Sequence, residues 1–242
     1  MLRKDFIKVS SLSAIALPKI LLAKYTETPS FEVLTGTTTA HLDSSGIMHK
    51  MAYRAYLDLR TAALKEGVDV RIVSGFRSFD RQLAIYNRKY MRYRNKGFTS
   101  LQAIQNIILY STIPGTSRHH WGTDIDIIDA NAQQPAGDVL NEAHYHGDGV
   151  FCKLKDWMDL RAAEFGFYLT YTANHHRTGF NYEPWHYSFR PLALKYLEQY
   201  LDIDITALIE ESDIRGKSEL TSTLLNSYMQ SHVLGVNPEL LP

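Results

Sequence analysis

Residues 117–126 read Ser-Arg-His-His-Trp-Gly-Thr-Asp-Ile-Asp, and this stretch indicates both the fold and the chemistry of the chain. From Thr123 to Asp129, acidic and isoleucine positions alternate as in a β-strand, so Asp124 and Asp126 share one face. Gly122 permits a sharp turn just before that strand, which allows the preceding His119 to fold back beside Asp126. The segment therefore predicts a strand on which a histidine and a carboxylate converge.

A second polar motif, Glu183-Pro184-Trp185-His186, lies about sixty residues downstream. Pro184 excludes a helix interior and favours an extended conformation for Glu183. Residues three apart point to opposite faces of a regular strand, whereas a polyproline-like stretch repeats every three residues. With such a bend, Glu183 and His186 can face the same cavity. The alternative for this motif alone is a turn carrying a half-buried tryptophan.

Taken as ligands, His119, Asp126 and His186 supply two imidazoles and one carboxylate. Three protein ligands with a fourth position for water are typical of a catalytic zinc site, and Glu183 is then placed to act as the general base. The His119–Asp126 spacing alone is common, so the interpretation depends on both motifs occurring together. We interpret His175 and His176, in a polar stretch, as solvated loop residues.

A third motif, residues 74–82, reads Ser-Gly-Phe-Arg-Ser-Phe-Asp-Arg-Gln. The apolar residues before it predict a strand that the Ser-Gly pair interrupts, and Asp80 is the expected N-cap of a following helix. Arg77, at such a strand-to-helix corner, offers a planar fork to a carboxylate or a developing oxyanion. The alternative is a surface arginine paired with a nearby acid.

Together, the three motifs resemble the D-alanyl-D-alanine carboxypeptidase family of zinc peptidases, in its VanY-like branch. The family pattern is Ser-Gly-aromatic-Arg-Ser…Gln, then Ser-x-His-x-x-Gly-x-x-x-Asp, then Glu-x-Trp-His, and this chain matches it in the same order. The resemblance covers about residues 48–200 and includes the stretches 163–167 and 178–182.

The resemblance implies an α+β fold, with one catalytic domain built on a small antiparallel sheet flanked by helices, as in hedgehog and DD-peptidase domains. It implies a Zn²⁺ ion, Glu183 as catalytic base, and Arg77 as a catalytic and substrate-binding residue. Further substrate contacts are implied for Ser117 and Gln82, the latter lining the site. The metal ligands that it implies are His119, Asp126 and His186.

One position departs from the family pattern. Where the family commonly has a small residue, this chain has Asp124, a second acid on the strand face of Asp126. It is expected either to orient a ligand histidine from behind or to replace a ligand, and the spacing favours Asp126 as the ligand.

The implied function is removal of a C-terminal D-alanine from a peptidoglycan stem peptide, with D,D- or L,D-cleavage left open. Two alternatives remain: a peptidoglycan endopeptidase, and a non-catalytic zinc or cell-wall-binding module. The presence of Glu183 argues against the second, because a buried acid without a water to activate would be costly.

Length and charge agree with this interpretation. A chain of 242 residues with 45% hydrophobic content can bury one good core, and a net charge of zero argues against a nucleic-acid partner. The single cysteine excludes an internal disulfide. We expect an export signal-like segment over residues 1–25, a catalytic domain over 26–205 and a helical tail over 206–242. We also expect a monomer.

The N-terminus has a basic head, Arg3 to Lys8, and a short apolar run, Val9 to Leu17. This pattern predicts export to the periplasm or cell envelope through a twin-arginine-like or Sec-like signal. The run is too short for a stable membrane span. The competing interpretation is an amphipathic first helix of a cytoplasmic protein.

Hydrophobic periodicity predicts the remaining elements. The polar stretch 130–149 is a long loop, interpreted either as a lid over the cleft or as a surface excursion. Helices are expected over residues 48–66, 81–94, 100–110, 191–200 and 218–232, and strands over 68–73, 123–129, 166–171 and 185–189.

Overall fold

The computed structural model describes residues 28–242, in which helices surround one four-stranded sheet. The α-helices are α1 (Phe31–Thr35), α2 (Lys50–Lys65), α3 (Phe79–Asn95), α4 (Ser100–Ile107), α5 (Cys152–Arg161), α6 (Arg190–Tyr200), α7 (Thr206–Glu211) and α8 (Ser222–Tyr228). The strands are β1 (Val70–Ser74), β2 (Asp124–Asp129), β3 (Phe167–Leu169) and β4 (His186–Phe189). The α+β class and the small antiparallel sheet expected from the sequence are confirmed.

The strand order is β1-β2-β4-β3, and every neighbouring pair is antiparallel. All six residues of β2 are buried, because the strand is central and is covered on both faces. Between Ile72 and Ser74 the β1–β2 register shifts, which brings Ser74 opposite Asp126. The irregularity is where the sheet gives way to the loop that carries Arg77.

Helix α3 begins earlier than the sequence suggested. Its N-cap is Ser78, whose hydroxyl accepts a hydrogen bond from the Arg81 amide (3.2 Å), and Asp80 lies in the first turn. The prediction of Asp80 as the cap was therefore wrong by two residues. Starting at Phe79 lets this ring enter the core, and Asp80 still interacts favourably with the positive end of the helix dipole.

The long loop between β2 and α5 is tied to the sheet near its start by Gln134 and near its end by Tyr145. Its short 3₁₀ turn, Glu142–Tyr145, buries the Tyr145 ring, and the Tyr145 hydroxyl donates to the Ile127 carbonyl (2.8 Å). Val139 and Leu140 of the loop pack against the core, and several loop residues border the cavity described below. The loop thus forms one side of that cavity.

The C-terminal segment packs onto the same core as the rest of the chain. Leu225, Tyr228 and Leu240 are buried in the hydrophobic cluster that also holds the sheet. The Asn237 side chain donates to the Leu169 carbonyl (2.9 Å), which fastens the segment to the end of β3. The single helix expected over 218–232 is α8 followed by a π-helical turn, Met229–Val233.

The expected export signal over residues 1–25 lies outside the described residues. Within residues 28–242, the helices are too short or too polar to cross a lipid bilayer.

Candidate metal centre

The register of the sheet assembles the centre. Asp126 on β2 lies directly opposite His186 on β4, and cross-strand partners of an antiparallel pair share a face. His119 arrives from a 3₁₀ turn, Arg118–Trp121, that ends at Gly122. Gly122 has a φ of 68°, and a Cβ there would lie 2.7 Å from the His49 amide nitrogen. Only glycine allows the turn to bring His119 back over the sheet.

The ligand atoms of His119, Asp126 and His186 lie within 4.8 Å of one another, and all three residues are buried. His119 Nδ1 donates to the Gly75 carbonyl (2.8 Å), which leaves Nε2 facing Asp126 Oδ2 at 3.5 Å. His186 Nδ1 lies 3.5 Å from Asp126 Oδ1. The three predicted ligand residues therefore converge on one point.

Two observations indicate that these three residues can hold a metal ion. Asp126 Oδ1 is buried and lacks a hydrogen-bond partner among the described residues, which is costly unless a cation contacts it. Burial, together with the charges of Arg77 and His186, holds the pKa of His119 well below its usual value, so its imidazole is neutral and could bind a metal. Two imidazoles and one carboxylate are the donor set of a catalytic site for a borderline metal.

The electrostatics of His186 and Asp126 also favour a cation. Burial opposes protonation of His186, but hydrogen bonds with Asp124 and Glu183 outweigh it and raise its pKa to about 10. Burial, partly offset by His186, raises the pKa of Asp126 to about 6, and the like charge of Glu183 adds to the rise. The negative charge that retains a proton on His186 would equally attract a metal ion.

Asp124 lies behind His186. Its Oδ2 is 3.0 Å from His186 Nε2 and accepts from Arg118 Nε (2.9 Å), and its Oδ1 accepts from the Ser188 hydroxyl (2.6 Å). Burial opposes ionisation, but Arg118, His186 and Ser188 hold the pKa of Asp124 well below its usual range. The acid that departs from the family pattern is thus an anion that fixes the His186 ring, with Nδ1 turned toward the other ligands.

Glu183 lies at the edge of the same group. Its Oε2 is 3.0 Å from His186 Nδ1, and its amide donates to the Tyr171 carbonyl (3.1 Å). The His186 amide in turn donates to the Glu183 carbonyl (3.1 Å), so the two residues close a turn around Pro184. This turn brings both side chains to the cavity, in place of the polyproline-like stretch that the sequence suggested.

The guanidinium of Arg77 is fixed by hydrogen bonds beside the three predicted ligand residues. Its Nη1 donates to Gln82 Oε1 (2.9 Å), its Nη2 donates to Ser74 Oγ (3.1 Å), and Nη2 lies 3.9 Å from Asp126 Oδ2. Gln82 is fully buried and anchored through Nε2 to the Thr112 carbonyl (2.8 Å). Gln82 therefore lies behind Arg77 instead of on the cavity wall where the sequence placed it.

The Arg77 loop is joined to the His119 turn by its backbone. The Arg77 amide donates to the His119 carbonyl (3.1 Å), and His120 Nδ1 donates to the Arg77 carbonyl (2.6 Å). His120 Nε2 accepts from the Gly115 amide (3.2 Å), and burial lowers the pKa of His120 to about 4, so this ring is neutral. The guanidinium and the ligand histidine are thus held on one rigid unit.

The group opens into a cavity of about 660 Å³, a size that suits a peptide or a drug-sized ligand. The Ser117 hydroxyl lines it and is buried without a hydrogen-bond partner among residues 28–242. Ser117 is therefore available to a ligand. The exposed His175 and His176 lie outside the cavity lining.

Three features escaped the sequence interpretation. Arg118, between two motif residues, stacks its guanidinium over the Trp121 ring (4.7 Å) and holds Asp124. Ser188 lies two residues after a ligand, on the same strand face, and this alternation was the available signal. Lys89 lines the cavity from α3 and has no motif to reveal it.

Residues 45–192 match the family model described as VanY, D-alanyl-D-alanine carboxypeptidase. A curated D-alanyl-D-alanine carboxypeptidase of Enterococcus faecalis is 34% identical over 133 residues, which are 54% of this chain and 44% of that protein. The family match covers more than half of the sequence, so this chain belongs to the VanY D-alanyl-D-alanine carboxypeptidase family. The chain spans about half the length of the curated relatives it matches.

Solved structures of similar proteins include a VanY D,D-pentapeptidase variant with Zn(II), at 28% identity and a TM-score of 0.48, covering 66% of this chain and 87% of that one. VanYB in complex with D-alanine-D-alanine is 27% identical, with a TM-score of 0.49, and covers 68% and 92% respectively.

Proposed function

We propose that this protein is a zinc-dependent carboxypeptidase that removes a C-terminal D-alanine from peptidoglycan stem peptides. The observation that carries the proposal is the convergence of His119, Asp126 and His186 beside Glu183, at the floor of a peptide-sized cavity. Membership of the VanY family supplies the substrate class.

His119 through Nε2, His186 through Nδ1 and a carboxylate oxygen of Asp126 would hold the ion. Bound there, zinc polarises a carbonyl oxygen and lowers the pKa of water to about 7. Asp124 and the Gly75 carbonyl keep the two imidazoles in the orientations that expose these nitrogens.

Glu183 supplies the proton transfers. Its carboxylate accepts a proton from the attacking water and returns it to the amine that leaves with the terminal residue. At 8% exposure, Glu183 is shielded from bulk water, which strengthens its electrostatic action on groups in the cavity. The contact with His186 Nδ1 keeps it within reach of the reacting atoms.

Arg77 offers fixed donors to the oxyanion that develops on the scissile carbonyl. Gln82 and Ser74 each hold one of its terminal nitrogens, so the fork needs no reorganisation during the reaction. Ser117 Oγ, buried without a partner in the described chain, is placed to bond a polar group of the peptide.

The test is release of D-alanine from a pentapeptide, a tetrapeptide and a cross-linked dimer, with zinc content measured in parallel. We expect release from one of the linear peptides. Glu183→Gln should retain zinc and lose activity by several orders of magnitude, because the base is removed and the ligands remain. Leu160→Ala, at an exposed position on α5, is the matched control and should behave as the wild type.

Other results would indicate a different function or mechanism. Cleavage of the dimer alone would assign the protein as an endopeptidase. Tight zinc and peptide binding without turnover would assign it as a non-catalytic wall-binding module. Wild-type rates in Glu183→Gln would refute the mechanism.

We also propose that the chain is exported to the cell envelope, where this substrate lies, on the basis of the basic and apolar pattern in residues 1–25. Fractionation of cells that express the full chain, with and without residues 1–25, tests this. Recovery of the full chain in the cytoplasm alone would refute it.

A further inference from the structure

One side of the cavity is lined by cations that have no acidic partner in the described part of the chain. Ile85, Lys89 and Arg92 of α3 line the cavity, and neither cation forms a hydrogen bond or ion pair within residues 28–242. The Arg92 guanidinium stacks on the ring of its neighbour Tyr93 (5.3 Å). Lys89 is half-buried, so its ammonium has lost part of its water without forming an ion pair in the described chain.

The field at Lys89 attracts an anion. Burial lowers the pKa of its ammonium, and the positive charges of Arg77, Arg92 and, least of all, Arg88 lower it further, while Glu183 opposes them. A lysine in such surroundings is stabilised by a carboxylate from outside the chain. The acids that line the cavity from the long loop, Asp138 and Glu142, form no ion pair or hydrogen bond with Lys89.

Helix α3 sets the distance of these cations from the metal group. Gln82, which anchors Arg77, begins a stripe that continues at Ile85, Lys89 and Arg92, because residues three and four apart share a helix face. At 1.5 Å per residue, Lys89 and Arg92 lie about 10 and 15 Å along the axis from Gln82. Arg77 is the cation near the reacting atoms, and Lys89 serves a more distant anion.

Because of this spacing, Arg77 and Lys89 would contact two different carboxylates of a substrate. The terminal carboxylate lies within one residue of the scissile bond, about 3.5 Å of extended chain, and therefore falls near Arg77. A carboxylate at the end of a long side chain two residues before the terminus lies much further away. The cavity is large enough to hold such a side chain.

Building on the proposed function, we propose that Lys89, assisted by Arg92, binds a side-chain carboxylate of the stem peptide and selects peptides whose third residue carries one. A diamino acid with a second carboxyl group, such as meso-diaminopimelate, fulfils this requirement, whereas L-lysine presents an ammonium to the same cations.

The test is equilibrium binding by calorimetry to the zinc-loaded Glu183→Gln protein, which prevents turnover. The probes are two pentapeptides that differ only in meso-diaminopimelate or L-lysine at the third position. The diaminopimelate peptide should bind about tenfold more tightly, the lower range for a charge-assisted bond at a half-exposed site. Adding Lys89→Met should bring the ratio of the two Kd values close to one.

Arg88→Met is the matched control, because it removes one positive charge from the adjacent, exposed position on α3, outside the cavity lining. It should keep the wild-type ratio. An unchanged ratio in Lys89→Met, an equal loss for both peptides, or failure to bind either peptide would overturn the inference. An equal loss would assign Lys89 to the terminal carboxylate. Failure of the proposed function would appear separately, as wild-type protein that binds these peptides and releases no D-alanine.

Discussion

Replacing the proposed metal ligand Asp126 by asparagine should make the metal-free protein more stable, although it should abolish tight zinc binding. Asp126 is buried, its Oδ1 lacks a hydrogen-bond partner in the described chain, and Glu183 adds a like charge. Without a metal, the ionised carboxylate therefore destabilises the folded state. Asparagine has nearly the same shape and carries no charge.

The magnitude follows from the pKa of Asp126, about 6 in the fold against an ordinary value of 3.8. A carboxyl group with a raised pKa binds its proton more tightly when folded, so its contribution to stability is lost as the pH rises from about 4 to 6. A rise of roughly two pKa units corresponds to a loss of about 3 kcal/mol in the free energy of unfolding above that pH range. For a chain of this length, Asp126→Asn should then raise the Tm of the metal-free protein by roughly 6–12 °C at about pH 8.

Asp124→Asn, two residues away on the same strand, should have the opposite effect. Asp124 is the partner of Arg118, which is 3% exposed, and breaking a buried ion pair costs about 3–5 kcal/mol. Because Asp124 only orients His186, its loss should weaken zinc binding by about 10–100-fold and not abolish it.

Thermal unfolding followed by circular dichroism, with a chelator and at pH 4 and 8, measures the stabilities, and competition with a chromophoric chelator measures zinc affinity. The stabilisation of Asp126→Asn should shrink at pH 4, where the wild-type carboxyl group is largely protonated. A metal-free Asp126→Asn protein that is less stable than the wild type at pH 8 would refute the reasoning. So would loss of zinc in Asp124→Asn with retention in Asp126→Asn.

Three further predictions concern neighbouring residues. His119→Ala should lose zinc at micromolar protein concentration, and full occupancy by metal analysis would remove it from the ligand set. Arg77→Lys should lower kcat and kcat/KM together by roughly a hundredfold, because lysine cannot occupy both anchors; a rise in KM alone would assign Arg77 to ground-state binding. Gln82→Met should lower kcat by roughly tenfold with unchanged zinc content, since it frees Nη1 of Arg77, and wild-type kinetics would show that this anchor is dispensable.

The sequence predicted the elements that depend on local pattern. The alternation of β2, the bend at Pro184 and the strand-to-helix corner at Arg77 each follow from a few adjacent residues, and the structure brings them together. The position of Gln82 was not predictable in this way, because it is set by the Thr112 carbonyl thirty residues later. The cap of α3 was placed two residues late, since two good capping residues occur in one turn and only packing of Phe79 decides between them.

Asp124 is a clearer example of a residue whose role the sequence does not determine. The spacing placed it beside Asp126, but the sequence could not distinguish a replacement ligand from an anchor. The distinction depends on Arg118 and Ser188, which lie on a turn and on another strand. Lys89 was missed for a related reason, because a cation without partners is recognised only when the whole cavity wall is known.

The pairing of Asp126 with His186 across β2 and β4 has a consequence for how the chain reaches its native state. A slip of one residue in that pairing would turn the imidazole to the opposite side of the sheet. A misaligned sheet would therefore offer the metal only part of its ligand set, and mass action would favour the aligned one. An ion bound by the proposed ligands would therefore stabilise the correctly aligned sheet over misaligned ones, and refolding in zinc should give a higher yield of native protein than refolding in a chelator.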